Sequence, residues 1–421
     1  MLYQTYEKPT KVKIIEAAFS FYTEPRYTDL SLSAIAAKVG ISKTAIFRHF
    51  KNKEDLFSTM EQFLFDRTAD NLRAVQAQFG ADCLHKTEGW RMLLEKTIFM
   101  LASHAEYIWF IKSIFVSHQN TDVMLFRELR KRGLDLYSGA DVQISEDGNR
   151  LRVDDPVIFF STKYVINTLF FIIGEAALHH PEKLDKDHVK EFAATVARMF
   201  EDGIYEKEDW LSVEQMAQID SKCCLDVNSL PPEDPVFVAI SKVVRKKGIP
   251  HVTVESVAAE LGLAKSSLYT YFSSKSEMMS NLIEKEISAL VGYVGNAVKN
   301  ITSPVEIDYG VIRAEMSFFK EHPSFIPVAC WLHISGSLMP DGMMKGMNEV
   351  MKNETVPYIR RFSINRFFLS NWLGVLSSLI FLHTMDQEFT DDQMLQTIKQ
   401  CFMYIQRGLG FNRADASLSE V

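Results

Sequence analysis

Residues Thr28–Leu56 read TDLSLSAIAAKVGISKTAIFRHFKNKEDL, and residues Pro250–Met278 read PHVTVESVAAELGLAKSSLYTYFSSKSEM. The two stretches align without a gap; six of 29 positions are identical and about eleven more are close in size and chemistry. Identities fall in order: Ala36-Ala37 with Ala258-Ala259, Gly40 with Gly262, Lys43 with Lys265, Phe50 with Phe272, Lys53 with Lys275. An ordered, gap-free match marks a duplication and makes every later reading a comparison of two copies.

Working outward, each copy reads as three short helices. Ile14, Ile15, Ala18, Phe19 and Tyr22 recur at helical spacing, predicting a first helix over Lys11–Tyr22 that Pro25 ends. Its counterpart spans Val236–Lys247, with basic residues in the last turn and Gly248 as the stop. Ser31 and Thr253 are suited to cap the second helix. The Ala-Ala pair lets a neighbouring helix approach, and Gly40 or Gly262 supplies the positive backbone angle of a tight turn. The third helix is expected over Lys43–His49 and Lys265–Tyr271, with Phe50 and Phe272 closing a small core beneath it. That is the helix-turn-helix plan, in which the last helix enters the major groove of DNA.

The run A-x-x-x-G-[IL]-[SA]-K-x-x-[IL]-[FY]-x-[HY]-F-x-x-K resembles the DNA-binding signature of the TetR family of regulators and directly covers about 45 residues per copy. The resemblance implies an all-α fold: two helix-turn-helix DNA-binding domains, each followed by a helical ligand and dimerisation domain. It also implies that the third helix reads operator DNA. Carried over by position, the first DNA-binding set is Ser42, Lys43, Thr44, Phe47, Arg48, His49 and Lys53. The second is Lys265, Ser266, Ser267, Tyr269, Thr270, Tyr271 and Lys275. Two departures stand out. Phe47 replaces the family's usual tyrosine, and Ala264 replaces the capping serine found at Ser42, a loss of roughly 0.5–2 kcal/mol for that helix.

The resulting division is residues 1–56, first DNA-binding domain; 57–205, first helical domain; 206–234, linker; 235–278, second DNA-binding domain; 279–421, second helical domain. The halves also agree at their ends. Apolar helices are expected at Phe159–Leu178 and Phe367–His383, each followed by an amphipathic final helix, Asp187–Ile204 and Asp391–Leu409, that stops at Gly203 or Gly408. In the TetR family such a terminal pair from each subunit makes a four-helix dimer interface. Two pairs in one chain therefore predict an intrachain pseudo-dimer, a dimer of such chains being the alternative. The stretch Val157–Leu178 has the length of a membrane span, but it holds Lys163, Asn167 and Glu175 and reads as a buried helix. Val142–Val153 alternates around Asp147-Gly148 and predicts a hairpin without a copy in the second half.

The expected function is a DNA-binding regulator, a repressor that reads two unlike half-sites of double-stranded DNA and is relieved by a small-molecule effector. The alternative is a protein of the same fold whose second reader no longer binds DNA and which acts through protein partners. Effector-lining candidates are Phe99, Tyr107, Trp109 and Phe110 in the first half and Phe318 and Trp331 in the second, set against their reading as plain core. Lys11–Leu56 carries eight basic against five acidic residues and Glu233–Met278 six against five, so the second reader has the weaker electrostatic footprint.

Other chemistries find no pattern. GxSxG, HExxH, a phosphate-cradling glycine loop and the kinase set are missing, which predicts that the chain is not an enzyme. His179, His180 and His188 lack metal-ligand spacing and read as solvated, so neither metal nor cofactor is expected. The five cysteines, Cys223-Cys224 among them, show no paired spacing and fit free thiols in a reducing compartment. The opening MLYQTYEKPTKVK has no apolar signal core, so a cytoplasmic protein is expected.

Overall fold

Helices form where capping residues and apolar periodicity agree. The computed structural model describes residues 9–22, 31–80, 87–104, 106–111, 121–134, 141–146, 148, 151–154, 156–223, 230–247, 252–270, 272, 274–334, 359, 362 and 364–409. The chain divides into two units: residues 1–139, 144–151 and 176–193, and residues 140–143, 152–175 and 194–421.

The first unit opens with α1 (Thr10–Phe19), α2 (Leu32–Val39) and α3 (Lys43–Ile46). α1 ends three residues before the predicted Tyr22. The Ser20 hydroxyl donates to the Ala17 carbonyl at 2.7 Å, and the N–H groups of Phe21 and Tyr22 turn back three residues instead of four. The long α4 (Lys53–Phe79) follows; the Asn52 side chain accepts from the Asp55 N–H at 2.8 Å, and Glu54 and Asp55 favour its positive end. α5 (Thr87–Ala102), a helical stretch over residues 106–111 and α6 (Thr121–Arg130) follow. One apolar cluster joins Phe65, Ala69, Leu72 and Val75 of α4 to Leu129 and Leu134.

The predicted hairpin is present. β1 (Val142–Ile144) pairs with β2 (Leu151–Val153), and Gly148 turns the connection at φ 73°. α7 (Pro156–His179) and α8 (Val189–Asp202) are the apolar and final helices of the first half. The segment read as a polar spacer contains a helix, α9 (Val213–Lys222). Ser212 and Gln215 cap it reciprocally, while Met216 and Ile219 bury its inner face.

In the second unit α10 (Pro235–Lys247), α11 (Val254–Leu261), α12 (Lys265–Tyr269) and α13 (Lys275–Val298) repeat the plan of α1–α4. α14 (Pro304–Glu321), α15 (Phe325–Ile334), α16 (Arg366–Asp386) and α17 (Asp391–Arg407) follow. α14 packs against α9, α13, α16 and α17. Asp220 of α9 ties these together: it accepts from the Tyr309 hydroxyl at 2.8 Å and lies 3.3 Å from the Lys399 ammonium.

Helices from both halves of the sequence meet inside this second unit. The Trp372 indole donates to the Thr168 hydroxyl at 3.2 Å, and the Phe171 and Phe368 rings lie 5.1 Å apart. Tyr164 packs on both Phe200 and Tyr404, at 6.0 and 5.4 Å. At the ends of α8 and α17 the pairing is reciprocal. The Ile204 N–H donates to the Ile405 carbonyl, and the Leu409 N–H donates to the Phe200 carbonyl, both at 2.8 Å. Shifted by 205 residues, one of these bonds becomes the other, which is the self-complementary pattern of a two-fold contact. Gly203 (φ 70°) and Gly408 (φ 73°) stand at the crossing, each backed against the other strand's main chain where a Cβ has no room.

This packing covers much of the apolar segments. Among the described residues one helix is long and apolar enough to cross a bilayer, over Arg366–Met385, and half of that window is buried within the protein. In α7, Phe159, Phe160, Tyr164 and Phe171 are buried as well, so its apolar character is accounted for by packing.

Candidate nucleic-acid interface

The first reader is built from local signals. The Ser31 hydroxyl accepts from the Ala34 N–H at 3.4 Å and opens α2. At the other end the Gly40 N–H reaches the Ala37 carbonyl and the Ile41 N–H the Ala36 carbonyl, at 3.2 and 2.9 Å. The second reader repeats both bonds at the same lengths, from Gly262 to Ala259 and from Leu263 to Ala258. These are the paired bonds of a Schellman motif, which needs a left-handed residue; Gly40 has φ 77° and Gly262 φ 69°. The Ala-Ala pair thus supplies the two carbonyls that fix the turn between α2 and α3.

α3 starts where the Ser42 hydroxyl accepts from the Ala45 N–H at 3.1 Å. Regular helix stops at Ile46, earlier than the predicted His49, because Arg48 and His49 bond three residues back as a tight turn. Ile46 and Phe50 point inward and are buried, together with Ile14, Ala18, Ile35 and Ala36. Ser42, Lys43, Thr44, Phe47, Arg48 and His49 are all exposed, and Phe47 keeps 46 % of its surface in solvent. Lys53 opens α4 half-buried. Six of the seven predicted positions therefore form one outward surface.

The second reader has the same backbone and different electrostatics. Ala264 gives α12 no side-chain cap, as its chemistry dictates. Lys265, Ser266, Tyr269 and Thr270 are exposed, Ser267 is half-buried, and Leu268 fills the place of Ile46. Tyr271 and the side chain of Lys275 lie outside the described residues. Phe272 is half-buried, so it closes its core less completely than Phe50. Lys265 is in an ion pair with Glu255 of α11, and its ammonium sits 5.4 Å from the Tyr269 ring. The hydrogen bond between them holds the Glu255 carboxyl below its ordinary pKa and raises that of Lys265. Glu260 receives Lys246 at 3.0 Å and Lys242 at 4.0 Å. Neither glutamate was singled out from the sequence, although the signal stands in the alignment, where Glu255 faces Ser33 and Glu260 faces Lys38.

Behind the first reader, Tyr107 and Phe110 pack edge-on against Phe19 at 4.8 and 5.1 Å, and Phe110 also meets Tyr22 at 5.1 Å. Trp109 is buried too, whereas Phe99 faces solvent. Phe318 is buried and stacks on His322 at 4.4 Å; the side chain of Trp331 lies outside the described residues. His180 pairs with Glu182 at 3.3 Å and His188 with Asp185 at 2.8 Å, on the surface. Cys223 and Cys401 are free and buried, and burial pushes both thiols up in pKa, which leaves little thiolate. Cys224 lies outside the described residues.

Two helix-turn-helix units, each with a polar and aromatic outward face, thus stand on an all-α scaffold. Residues 14–60 and 237–282 match the model of the bacterial regulatory proteins of the tetR family, so the chain carries two tandem TetR-like units. It is similar to the nucleoid occlusion factor SlmA of Haemophilus influenzae, 26 % identical over 91 residues, 22 % of this chain and 42 % of the relative. The SlmA proteins of Mannheimia succiniciproducens and Pasteurella multocida are 28 % and 27 % identical over 83 and 78 residues, 20 % and 18 % of this chain and 38 % and 39 % of theirs. The match thus spans about two-fifths of the length of these curated relatives.

Proposed function

We propose that the chain is a single-chain repressor whose two unlike readers bind an operator of two unlike half-sites, and that a small molecule held in the helical body releases it. The observation that carries this reading is the reciprocal pairing of Ile204 with Ile405 and Leu409 with Phe200, the bonding pattern of a dimer dyad inside one chain. A homodimeric regulator repeats one reader and reads a palindrome. Here KTAIFRH at Lys43–His49 is set against KSSLYTY at Lys265–Tyr271. Arg48, long and exposed, suits bidentate contact with guanine, whereas Thr270 at its aligned position does not.

Effector control is supported by the ring contacts of Tyr107 and Phe110 with Phe19 and Tyr22, because anything that moves residues 106–111 moves the first helix of the reader. A second reading, an interaction protein whose second reader has left DNA, draws on the Lys265–Glu255 pair and on the likeness to SlmA, a nucleoid occlusion factor by name.

Selection from a random-duplex pool, with the wild type beside Arg48→Ala and Tyr269→Ala, separates the two. A two-part motif with unlike halves, each half weakened by one substitution, is the expected result. A perfect palindrome refutes the unlike-half-site operator, and a motif untouched by Tyr269→Ala favours the interaction protein.

A further inference from the structure

Three cations of the second reader, Lys242, Lys246 and Lys265, rest on its own carboxylates. In the first, Lys43 and Arg48 are exposed and neither makes an ion pair among the described residues. In the second, the residue aligned with Lys43 is paired with Glu255, and Lys242 and Lys246 of α10 converge on Glu260. Over the turn-preceding helix the first copy, Leu32–Val39, carries net +1, and the second, Val254–Leu261, carries net −2. This difference sits on backbones that are otherwise matched, down to both bonds of the glycine turn.

Affinity for duplex DNA comes largely from releasing counterions held on phosphates, and each free cation brought to a phosphate contributes. A lysine already matched by a carboxylate gains little by moving to a phosphate, and its departure leaves Glu255 bare beside a polyanion. What remains outward on α12 and at its C-cap is uncharged: Ser266, Tyr269 and Thr270.

We propose that the readers divide the work: the first grips the phosphates, and the second is an electrostatically muted selector, restrained by Glu255 and Glu260, that adds discrimination without general DNA affinity. This rests on the DNA-binding reading above.

The test is the salt dependence of duplex binding by the full chain, over roughly 50–200 mM salt, for the wild type and four variants. Lys43→Ala is expected to lower the slope of log affinity on log salt by about one. Glu255→Ser, which installs the residue of the first copy, is expected to steepen it by about one by freeing Lys265. Adding Lys265→Ala to Glu255→Ser is expected to cancel that gain. Glu255→Ser with Glu260→Lys is expected to raise affinity for an unrelated duplex tenfold or more. An unchanged slope in Glu255→Ser, or a steepening that survives loss of Lys265, overturns the division of work while DNA binding stands. A wild type that binds no duplex at low salt overturns the DNA-binding reading and this inference with it.

Discussion

Replacing Gly203 by alanine tests the dyad-like crossing directly. The residue has φ 70°, a conformation that costs an L side chain roughly 1–2 kcal/mol. A methyl group there would also stand 2.5 Å from the Arg407 nitrogen and closer still to the Gln406 carbonyl carbon, both main-chain atoms that cannot swing aside. The strands must separate, which breaks the bonds from Ile204 to Ile405 and from Leu409 to Phe200 and leaves their buried groups unmatched, about 1–3 kcal/mol each. The expected loss is therefore about 3–8 kcal/mol. Gly262→Ala is the control: it lies in the same unit at φ 69°, but nothing stands within 4 Å of its Cβ. Only the backbone cost of roughly 1–2 kcal/mol applies there. Urea unfolding followed by tryptophan fluorescence compares the two, with Trp372 reporting from beside Thr168. If Gly203→Ala costs no more than Gly262→Ala, the close crossing does not exist in solution.

Three further outcomes are expected. Ala264→Ser supplies the cap that α12 lacks and should slow amide exchange there and stabilise that helix by about 0.5–2 kcal/mol, while Ser42→Ala does the reverse to α3. Burial raises the Glu315 carboxyl to about 7, so between its unfolded value and 7 the folded protein holds a proton that the unfolded chain has lost. Stability should fall by about 3 kcal/mol as pH climbs through that window, and Glu315→Gln should flatten the profile; an unchanged profile in urea titrations refutes the assignment. Gln406 both accepts from the Leu211 N–H at 2.9 Å and donates to its carbonyl at 3.1 Å, so Gln406→Leu should cost about 2–4 kcal/mol in thermal unfolding.

The readers were legible because their signals are local. A capping hydroxyl, a pair of alanines and a glycine fix α2 and its turn within ten residues of sequence, and the same chemistry recurs at Thr253–Gly262. The hairpin was legible for the same reason, the dipeptide Asp147-Gly148 standing in the sequence between two alternating stretches. α9 was overlooked because polar composition dominated the reading of the linker, although Ser212 and Gln215 form a capping box and Met216, Ile219 and Cys223 share one buried face. The meeting of Asp220 with Tyr309 and Lys399 joins residues 89 or more positions apart, and no periodicity encodes it. The ion pair of Lys265 with Glu255 lies between these cases. The charge change is plain in the alignment, but the contact depends on the turn that brings the ends of α11 and α12 together.

Fusion explains which features of the two halves stayed alike and which drifted. Where main chain meets main chain, at Gly203 and Gly408, any side chain is excluded on both strands, and both copies keep glycine. Two residues earlier the constraint differs, because Gln406 lies beside the linker. Gln406 holds Leu211 of that linker with its side-chain amide; the residue 205 positions before it is Glu201, a carboxylate that could accept such a bond but not return one. A homodimer cannot make this distinction, since each substitution appears twice. The same freedom applies to the readers, whose outward side chains take no part in the turn bonds that both copies share. Ser33 and Lys38 in one copy can become Glu255 and Glu260 in the other without disturbing the turn bonds that both share. A symmetric pair of readers can only be tuned together, whereas this chain can strengthen one and restrain the other, and its readers carry the charges to do so.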